Sequence, residues 1–329
     1  MSHNPIDASE SGHSRFSPDL LYRAARLYYL ENATQAEVAT ALGTSRPTVS
    51  RLLAEARSSG MVHIEVREPG TSATSDLEAG LVERLGLDAA FVTPSAQGMP
   101  LGSALGPGVA AALERANLQP GDALLVSSGQ STHAVSQQPL PALPGVLLAP
   151  TVGGVDEPEE YYQTNEITRS LAVRLHGSPV FLYAPAMPSE VLYPVLMSDS
   201  LIKRVTTVWR TAKAALLGIG APPRSRSSLP SFLPRDLPAL DNAIGDICAR
   251  PFDSRGKPVR FPGMDRLVAM ELSALRRVPH TIGVAVGAAK VPAIRVAARS
   301  GYINTLVTDT PTARQLLASV ANDTKERVR

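Results

Sequence analysis

From residue 77 onward the chain alternates short apolar runs with segments of helical periodicity, and this constrains its fold more than any other feature. The strand-like runs are 89–93, 123–127, 145–149, 180–183, 214–219, 281–286 and 305–308. Helical spacing covers 77–85, 106–116, 167–175, 264–275, 291–300 and 312–320. Short continuous apolar runs are buried on both faces, and strands joined through helices lie parallel. The pattern predicts an α/β domain with a doubly wound, mainly parallel sheet. The Pro-rich pieces 137–144 and 221–238 read as loops, and no internal repeat is present.

Length allows about two domains at ~100–200 residues each: the chain has 329 residues, 44% hydrophobic and 19% charged. That balance excludes a disordered or collagen-like chain. No run of about 18 apolar residues offers a membrane span. The start, MSHNPIDASESGHSRF, lacks a basic segment followed by an apolar run, so a cytoplasmic protein without membrane partners is expected. One cysteine, Cys248, excludes a disulfide framework and a Cys-based zinc site, and reads as a small buried hydrophobe. No metal or cofactor is called for. Of 32 basic side chains only five are lysines (Lys203, Lys213, Lys257, Lys290 and Lys325), none in the first 200 residues. GC-rich coding produces such a bias, but it leaves few candidates for lysine chemistry.

The expected organisation is a disordered tail (1–16), a small helical unit (17–67), a linker (68–76, rich in Ser and Thr), the α/β domain (77–320) and a tail (321–329). In the second of these, Ser17-Pro18-Asp19 starts a helix. Thr34 caps another from Gln35 to Leu42, Gly43 ends it, and Thr44-Ser45 starts a third that runs to about Arg57. With Gln35 as position one of a helix-turn-helix, Ala39 falls at five and Gly43 at nine. A small residue at five lets the helices approach, and Gly at nine supplies the positive backbone angle of the turn. Val38, Leu42, Val49 and Leu52 occupy positions four, eight, fifteen and eighteen, where a three-helix core needs apolar contacts.

The third helix turns Val49, Leu52 and Leu53 inward and leaves Arg46, Thr48, Ser50 and Arg51 outward near its start, the part that enters a major groove. Arginine can donate two hydrogen bonds to guanine O6 and N7, and hydroxyls reach phosphates or base edges. Thr34, Gln35 and Ser45 at the helix starts complete the candidate DNA-binding set. Residues 61–67 alternate like an exposed strand and would form a wing, with His63 and Arg67 toward phosphates. The alternative is that these arginines only solvate a helix face.

Three strand-loop-helix turns carry the candidate effector site. Ser128-Gly129-Gln130-Ser131-Thr132 follows a buried strand, and such a turn can aim N–H and O–H groups at an anion. It can equally be an ordinary capped turn. Gly153-Gly154 follows another strand, where a ligand could approach the backbone, and Gln163 and Asn165 beyond it could bond sugar hydroxyls or cap a helix. Lys290 begins a helix after a third strand, where a cation and the helix dipole both favour phosphate, against a solvated surface lysine. Asp246 and Asp265 are the acids expected in the same crevice. A carboxylate accepts two sugar hydroxyls, though Asp265 serves equally as a helix start.

The run LLYRAARLYYLENATQAEVATALGTSRPTVSRLLAEARSSGMVHIEV resembles the DNA-binding region of the SorC family of bacterial sugar-responsive regulators. The pieces GDALLVSSGQSTHAV, PTVGGV, NEITRSLAVRL, GDICARPFDSRGKPV and GVAVGAAKVPAIRVAARSGYINTLVTD match that family's effector domain in order. The resemblance spans about 18–318. It implies a fold similar to sugar-phosphate isomerases and deaminases, a sugar or sugar-phosphate effector, an operator in double-stranded DNA, and a homodimer or homotetramer. Two departures stand out: Gln130 where the family often carries Arg, and Val152 where a cation can precede the paired glycines, which removes a Schiff base there. The competing reading is a sugar-phosphate isomerase or deaminase with an appended DNA-binding head. It needs an acid/base pair, and Asp265 has no His or Glu partner at short spacing. A sigma-like factor is disfavoured by the α/β domain that follows the helix-turn-helix.

Overall fold

The computed structural model describes residues 16–31, 33–62, 71–95, 98–233 and 236–327, in two compact units divided between Pro69 and Gly70. The first unit is built from α1 (Pro18–Ala25), continued by a π-turn over Arg26–Leu30, α2 (Gln35–Leu42) and α3 (Arg46–Ser58). Each helix has its expected cap: Ser17, Thr34 and Ser45 accept from backbone N–H groups of the first turn. Gly43 sits at φ 61° with open space where a Cβ would stand, so backbone angle rather than room requires glycine. Leu21, Ala24, Val38, Ala39, Val49, Leu52 and Leu53 form the core. Phe16, assigned above to a disordered tail, packs against it. The wing with His63 and Arg67 lies outside the described residues.

The second unit opens with α4 (Thr71–Leu85). Its helix starts inside the expected linker, because extending a helix costs far less than nucleating one and 71–76 contains no proline. Then follow β1 (Ala89–Thr93), α5 (Leu101–Ala116), β2 (Ala123–Val126), α6 (Gln130–Ser136), β3 (Leu147–Pro150), α7 (Thr164–Arg174) and β4 (Ser178–Pro179). After these come α8 (Leu192–Ser198), α9 (Ser200–Thr211), β5 (Ala214–Gly218), β6 (Ala243–Ile247), β7 (Arg250–Asp253) and α10 (Leu272–Leu275). The chain closes with β8 (His280–Val284), α11 (Val291–Arg299), β9 (Thr305–Asp309) and α12 (Thr310–Arg327), the last running through the expected C-terminal tail.

Seven strands form one parallel sheet in the order β1-β9-β8-β5-β2-β3-β4, and β6 and β7 form a separate antiparallel hairpin. Alternate residues of each strand serve opposite faces. Leu124 and Val126 of β2 join the core under α5 and α7, while Ala123 and Leu125 join the core that includes α9, α11 and α12. From β2 the chain winds outward through β3 and β4, then returns to lay β5 on the other side of β2. The strand order reverses there, and the diverging loops leave a crevice at the carboxyl ends of β2 and β5.

Two expected elements take different form. Residues 180–183 bury Val180 and Leu182, but the ladder ends at Pro179, and the Leu182 N–H bonds the Asn165 side chain at 3.0 Å instead of a strand. Residues 264–275 are not one helix: a 3-10 turn (Met264–Arg266) and the short α10 flank an extended piece. The carbonyls of Leu267, Ala269 and Met270, which a helix would consume, instead accept from the buried Arg250 guanidinium at 3.0–3.3 Å.

Candidate functional site

A cavity of about 260 Å³ occupies the crevice between the ends of β2 and β5. Its walls are the Ser128–Ser131 loop, the chain from Gly218 to Ala221, the tip of the β6–β7 hairpin, Lys290 after β8, and a loop containing Arg226 and Ser228. The strand-loop-helix reading of Ser128, Gly129, Gln130, Ser131 and Lys290 thus converges on one space, with Asp246 beside it.

Most of the β2 loop's polar groups serve the loop itself. Ser127 Oγ donates to the Ser128 carbonyl and accepts from Gly218 N–H at 2.7 Å, which ties β2 to β5. Gly129, at φ 135°, gives its N–H to the Tyr161 carbonyl at 2.8 Å. Thr132 is fully buried and donates to the Gly129 carbonyl at 2.9 Å, so it shapes the loop from behind and does not line the cavity. The Ser131 hydroxyl differs: the residue is 2% exposed, lines the cavity and has no partner among the described residues. A buried hydroxyl left without a partner costs about 1–3 kcal/mol, which a ligand acceptor would recover.

Charge in the cavity is organised around Asp246. Its Oδ1 accepts from Arg226 Nη1 at 2.8 Å, with both side chains largely buried. Half-buried Lys290 follows Gly287, whose φ of 104° and N–H bond to Thr312 Oγ1 set the turn. Burial holds the Lys290 ammonium below the ordinary lysine range, Asp246 pulls it back up, and Arg226 pushes it down. Tyr162, whose hydroxyl bonds Ser228 Oγ at 2.9 Å, is raised by burial. Two cations against one carboxylate leave the cavity with an excess positive charge suited to an anion, and hydroxyls and a carboxylate suited to polyol groups.

The hairpin tip is strained. Cys248 (φ 53°) and Ala249 (φ 58°) lie consecutively in the left-handed region, joining the paired residues Ile247 and Arg250. For non-glycine residues this costs about 1–2 kcal/mol each. Arg250, 2% exposed, offsets it by tying the hairpin to Leu267, Ala269 and Met270 and pairing with Glu271 at 2.6 Å. Cys248 is buried, its thiol pushed up to about 12 by burial, which suits packing rather than reactivity.

The other candidates stand elsewhere. A Cβ on Gly153 would meet the Ala184 carbonyl at 2.6 Å, and the Gly153 and Gly154 N–H groups bond Val268 and Ala184 carbonyls. The paired glycines therefore let backbones meet, not a ligand. Gln163 donates to the Glu157 carbonyl, and Asn165 holds Leu182 through both amide atoms. Asp265 borders a different cavity, of about 330 Å³. Sequence reasoning missed Arg226, Tyr162 and Ser228. The one signal was RSRSS (224–228), a cluster of bases and hydroxyls inside a Pro-rich stretch that reads as surface loop.

In the first unit, Arg46, Ser50 and Arg51 are exposed along α3. Arg46 shares a concave surface with Thr34, Gln35, Tyr28 and Tyr29. The Thr34 hydroxyl is engaged with Glu37, whose carboxylate accepts the Thr34 N–H at 2.7 Å and is held below its usual range by that bond. Ser45 and Thr48 bond each other at 2.8 Å. These three set the helix starts, leaving Arg46, Ser50, Arg51 and Gln35 as the outward groups. Arg57 bonds the Tyr29 hydroxyl at 3.0 Å and braces α3 against the π-turn.

Comparison with known proteins covers both units. Residues 71–318 match the family described as "Putative sugar-binding domain". The chain is 32% identical over 310 residues to the sorbitol operon regulator of Klebsiella pneumoniae, covering 91% of this chain and 97% of that protein. It is 31% identical over 316 residues to the deoxyribonucleoside regulator of Bacillus subtilis, covering 92% and 98%. The crystal structure of the full-length K. pneumoniae sorbitol operon regulator superposes with a TM-score of 0.79 at 30% identity, covering 92% of this chain and all of that one. These relatives are transcriptional regulators rather than enzymes. No described helix is long and apolar enough to cross a membrane.

Proposed function

The chain belongs to the SorC family of sugar-responsive transcriptional regulators, and from that premise we propose that it senses a phosphorylated sugar or polyol in the β2–β5 cavity. The observation that carries this reading is that half-buried Lys290 and the Ser131 hydroxyl, which has no partner among the described residues, line one small space. The anionic end of the ligand lies against Lys290 and the Ser128–Ser131 loop, and its hydroxyls lie against Asp246, Tyr162 and Ser228. The 329-residue chain acts in the cytoplasm on an operator of a carbohydrate or polyol operon, with α3 in the major groove and Arg46 and Arg51 toward base edges.

Paired heads on two half-sites require at least a dimer. The ligand alters operator affinity only by binding two arrangements of that assembly unequally. One relative is named for sorbitol and another for deoxyribonucleosides, so the sugar itself is found by screening. A thermal-shift screen of phosphorylated and unphosphorylated sugars and polyols, followed by operator binding with and without the hit, tests the reading. A stabilising hit that requires its phosphate and changes operator affinity supports it. Stabilisation by unphosphorylated compounds alone removes the phosphate role from Lys290 and Ser131.

A further inference from the structure

The second cavity, of about 330 Å³, lies between α8–α9 and the stretch from Asp265 to Val278, and Arg250 forms part of its wall. Arg250 is 2% exposed. Its Nε donates to the Met270 carbonyl and its Nη2 to those of Leu267 and Ala269. Nη2 also stands 2.6 Å from Glu271. Nη1 makes no hydrogen bond among the described residues. It is not among the fully enclosed atoms that lack a partner, so it keeps a little open surface, and the open space beside Arg250 is this cavity. Two N–H groups of a buried guanidinium are thus left over where a ligand oxygen can take them. Glu271 does not fill that role, because its side chain is 59% exposed and water screens the pair. Burial holds the guanidinium below the usual arginine range against the pull of Glu271.

Around Nη1 the cavity is amphipathic. Tyr193, Met197, Trp209, Met270 and Val278 give it an apolar wall, and the Tyr193 phenol is close enough to act on the Arg250 charge. The ionised groups on the wall are Arg210, Arg250 and Arg277 against Asp265 and Glu271, which leaves one positive charge in excess. A singly charged anion on an apolar body satisfies both features. A carboxylate suits the site better than a phosphate, whose second negative charge would exceed that balance and meet the two acids.

We propose that this cavity is a second ligand site, which takes a small carboxylate with an apolar or aromatic body. The carboxylate lies on Arg250 Nη1 and the body against Trp209 and Met197. Neither Lys290 nor Ser131 takes part, so the effector reading stands or falls separately. Trp209 is the chain's single tryptophan, and its fluorescence reads this cavity directly. The full-length protein is titrated with phenylacetate, hydrocinnamate and hexanoate, with phenylacetamide as the uncharged match and inorganic phosphate as the bare anion. The carboxylates are expected to give a saturable change, phenylacetamide to bind at least ~10-fold more weakly, and phosphate to have no effect. Ala274→Phe fills the cavity from a half-buried position without removing a polar group. It should abolish the change and leave the melting temperature near that of the wild type. Arg250→Lys keeps the charge but removes Nη1, and should weaken the carboxylates while sparing phenylacetamide. The comparison of acid with amide needs no variant, so the proposal stays testable if either variant fails to fold. It is overturned by no saturable change below ~10 mM with any carboxylate, by equal affinity for phenylacetate and its amide, by a response to phosphate alone, or by binding that persists in Ala274→Phe.

Discussion

The carboxylate of Asp246 lies against the backbone of Gly220, so closely that a Cβ on Gly220 would overlap its Oδ1. The Gly220 N–H donates to the Asp246 carbonyl at 2.9 Å. Glycine is required here for space, and the contact fixes where the cavity's acid can point. Gly220→Ala should therefore displace the carboxylate and its Arg226 partner, weakening effector binding about 10-fold or more with operator binding by the empty protein retained. Titration calorimetry with the identified effector checks this, and unchanged affinity would remove Asp246 from the ligand site.

Lys290→Gln keeps a polar side chain but removes the cation. A charge-assisted hydrogen bond is worth about 1.5–3 kcal/mol, so affinity for a phosphorylated effector should fall ~10–100-fold. Binding of the unphosphorylated analogue should change little. Equal losses for both ligands in the same assay would show that Lys290 holds the sugar rather than the phosphate.

Lys290 also predicts a pH dependence. Burial, the largest cause, lowers its native pKa below the ordinary lysine range. A bound phosphate favours the charged amine and raises that pKa, so binding takes up a proton in alkaline solution. Affinity should decline as pH rises through the lowered value, earlier than an ordinary lysine would allow. For stability the sign is opposite. Between the lowered native value and the ordinary one the unfolded chain binds more protons, so this group makes stability rise with pH. Calorimetry in buffers of different ionisation enthalpy, with Lys290→Gln as reference, reads the proton uptake.

Arg46→Ala and Arg51→Ala remove outward donors of α3 without touching its core. If either reads a guanine, about 1–3 kcal/mol of operator discrimination is lost. That is roughly a 10-fold to 100-fold drop for specific DNA, with effector-induced thermal shifts unchanged. Fluorescence anisotropy against operator and scrambled duplex separates base reading from phosphate contact, since the latter weakens both alike.

Arg250→Met removes the guanidinium donor from the carbonyls of Ala269 and Met270, leaves the Leu267 carbonyl with the Ala269 N–H alone, and takes the cation from Glu271. Breaking a buried pair from one side costs about 3–5 kcal/mol. Glu271 is well exposed, so the low end is expected. Chemical denaturation should show that loss, and Arg250→Lys should recover only part of it, because an ammonium cannot span the same carbonyls.

Local chemistry made the first unit readable. Thr34 with Glu37, Ser45 with Thr48 and the turn at Gly43 are interactions between near neighbours, so residue types at short spacing suffice to place α2 and α3. The parallel sheet was also legible, since buried strands and crossover helices impose their own periods. Extended chain was harder to judge. Leu182 is held by an Asn165 side chain and not a strand, and residues 267–271 stay extended because Arg250 binds their carbonyls.

The candidate effector site divides along the same line. Residue order alone placed Ser128–Ser131 and Lys290 on strand-loop-helix turns, because anion-binding turns are local. Which turns face one another depends on strand order, and only the reversal between β2 and β5 brings these two together while leaving Gly153, Gly154 and Asp265 outside. Arg226 reaches the cavity from a Pro-rich loop, 20 residues from Asp246, through a tertiary contact with no periodic signature. Side-chain chemistry and local spacing are properties of the chain, whereas the convergence of distant loops is a property of the packed sheet.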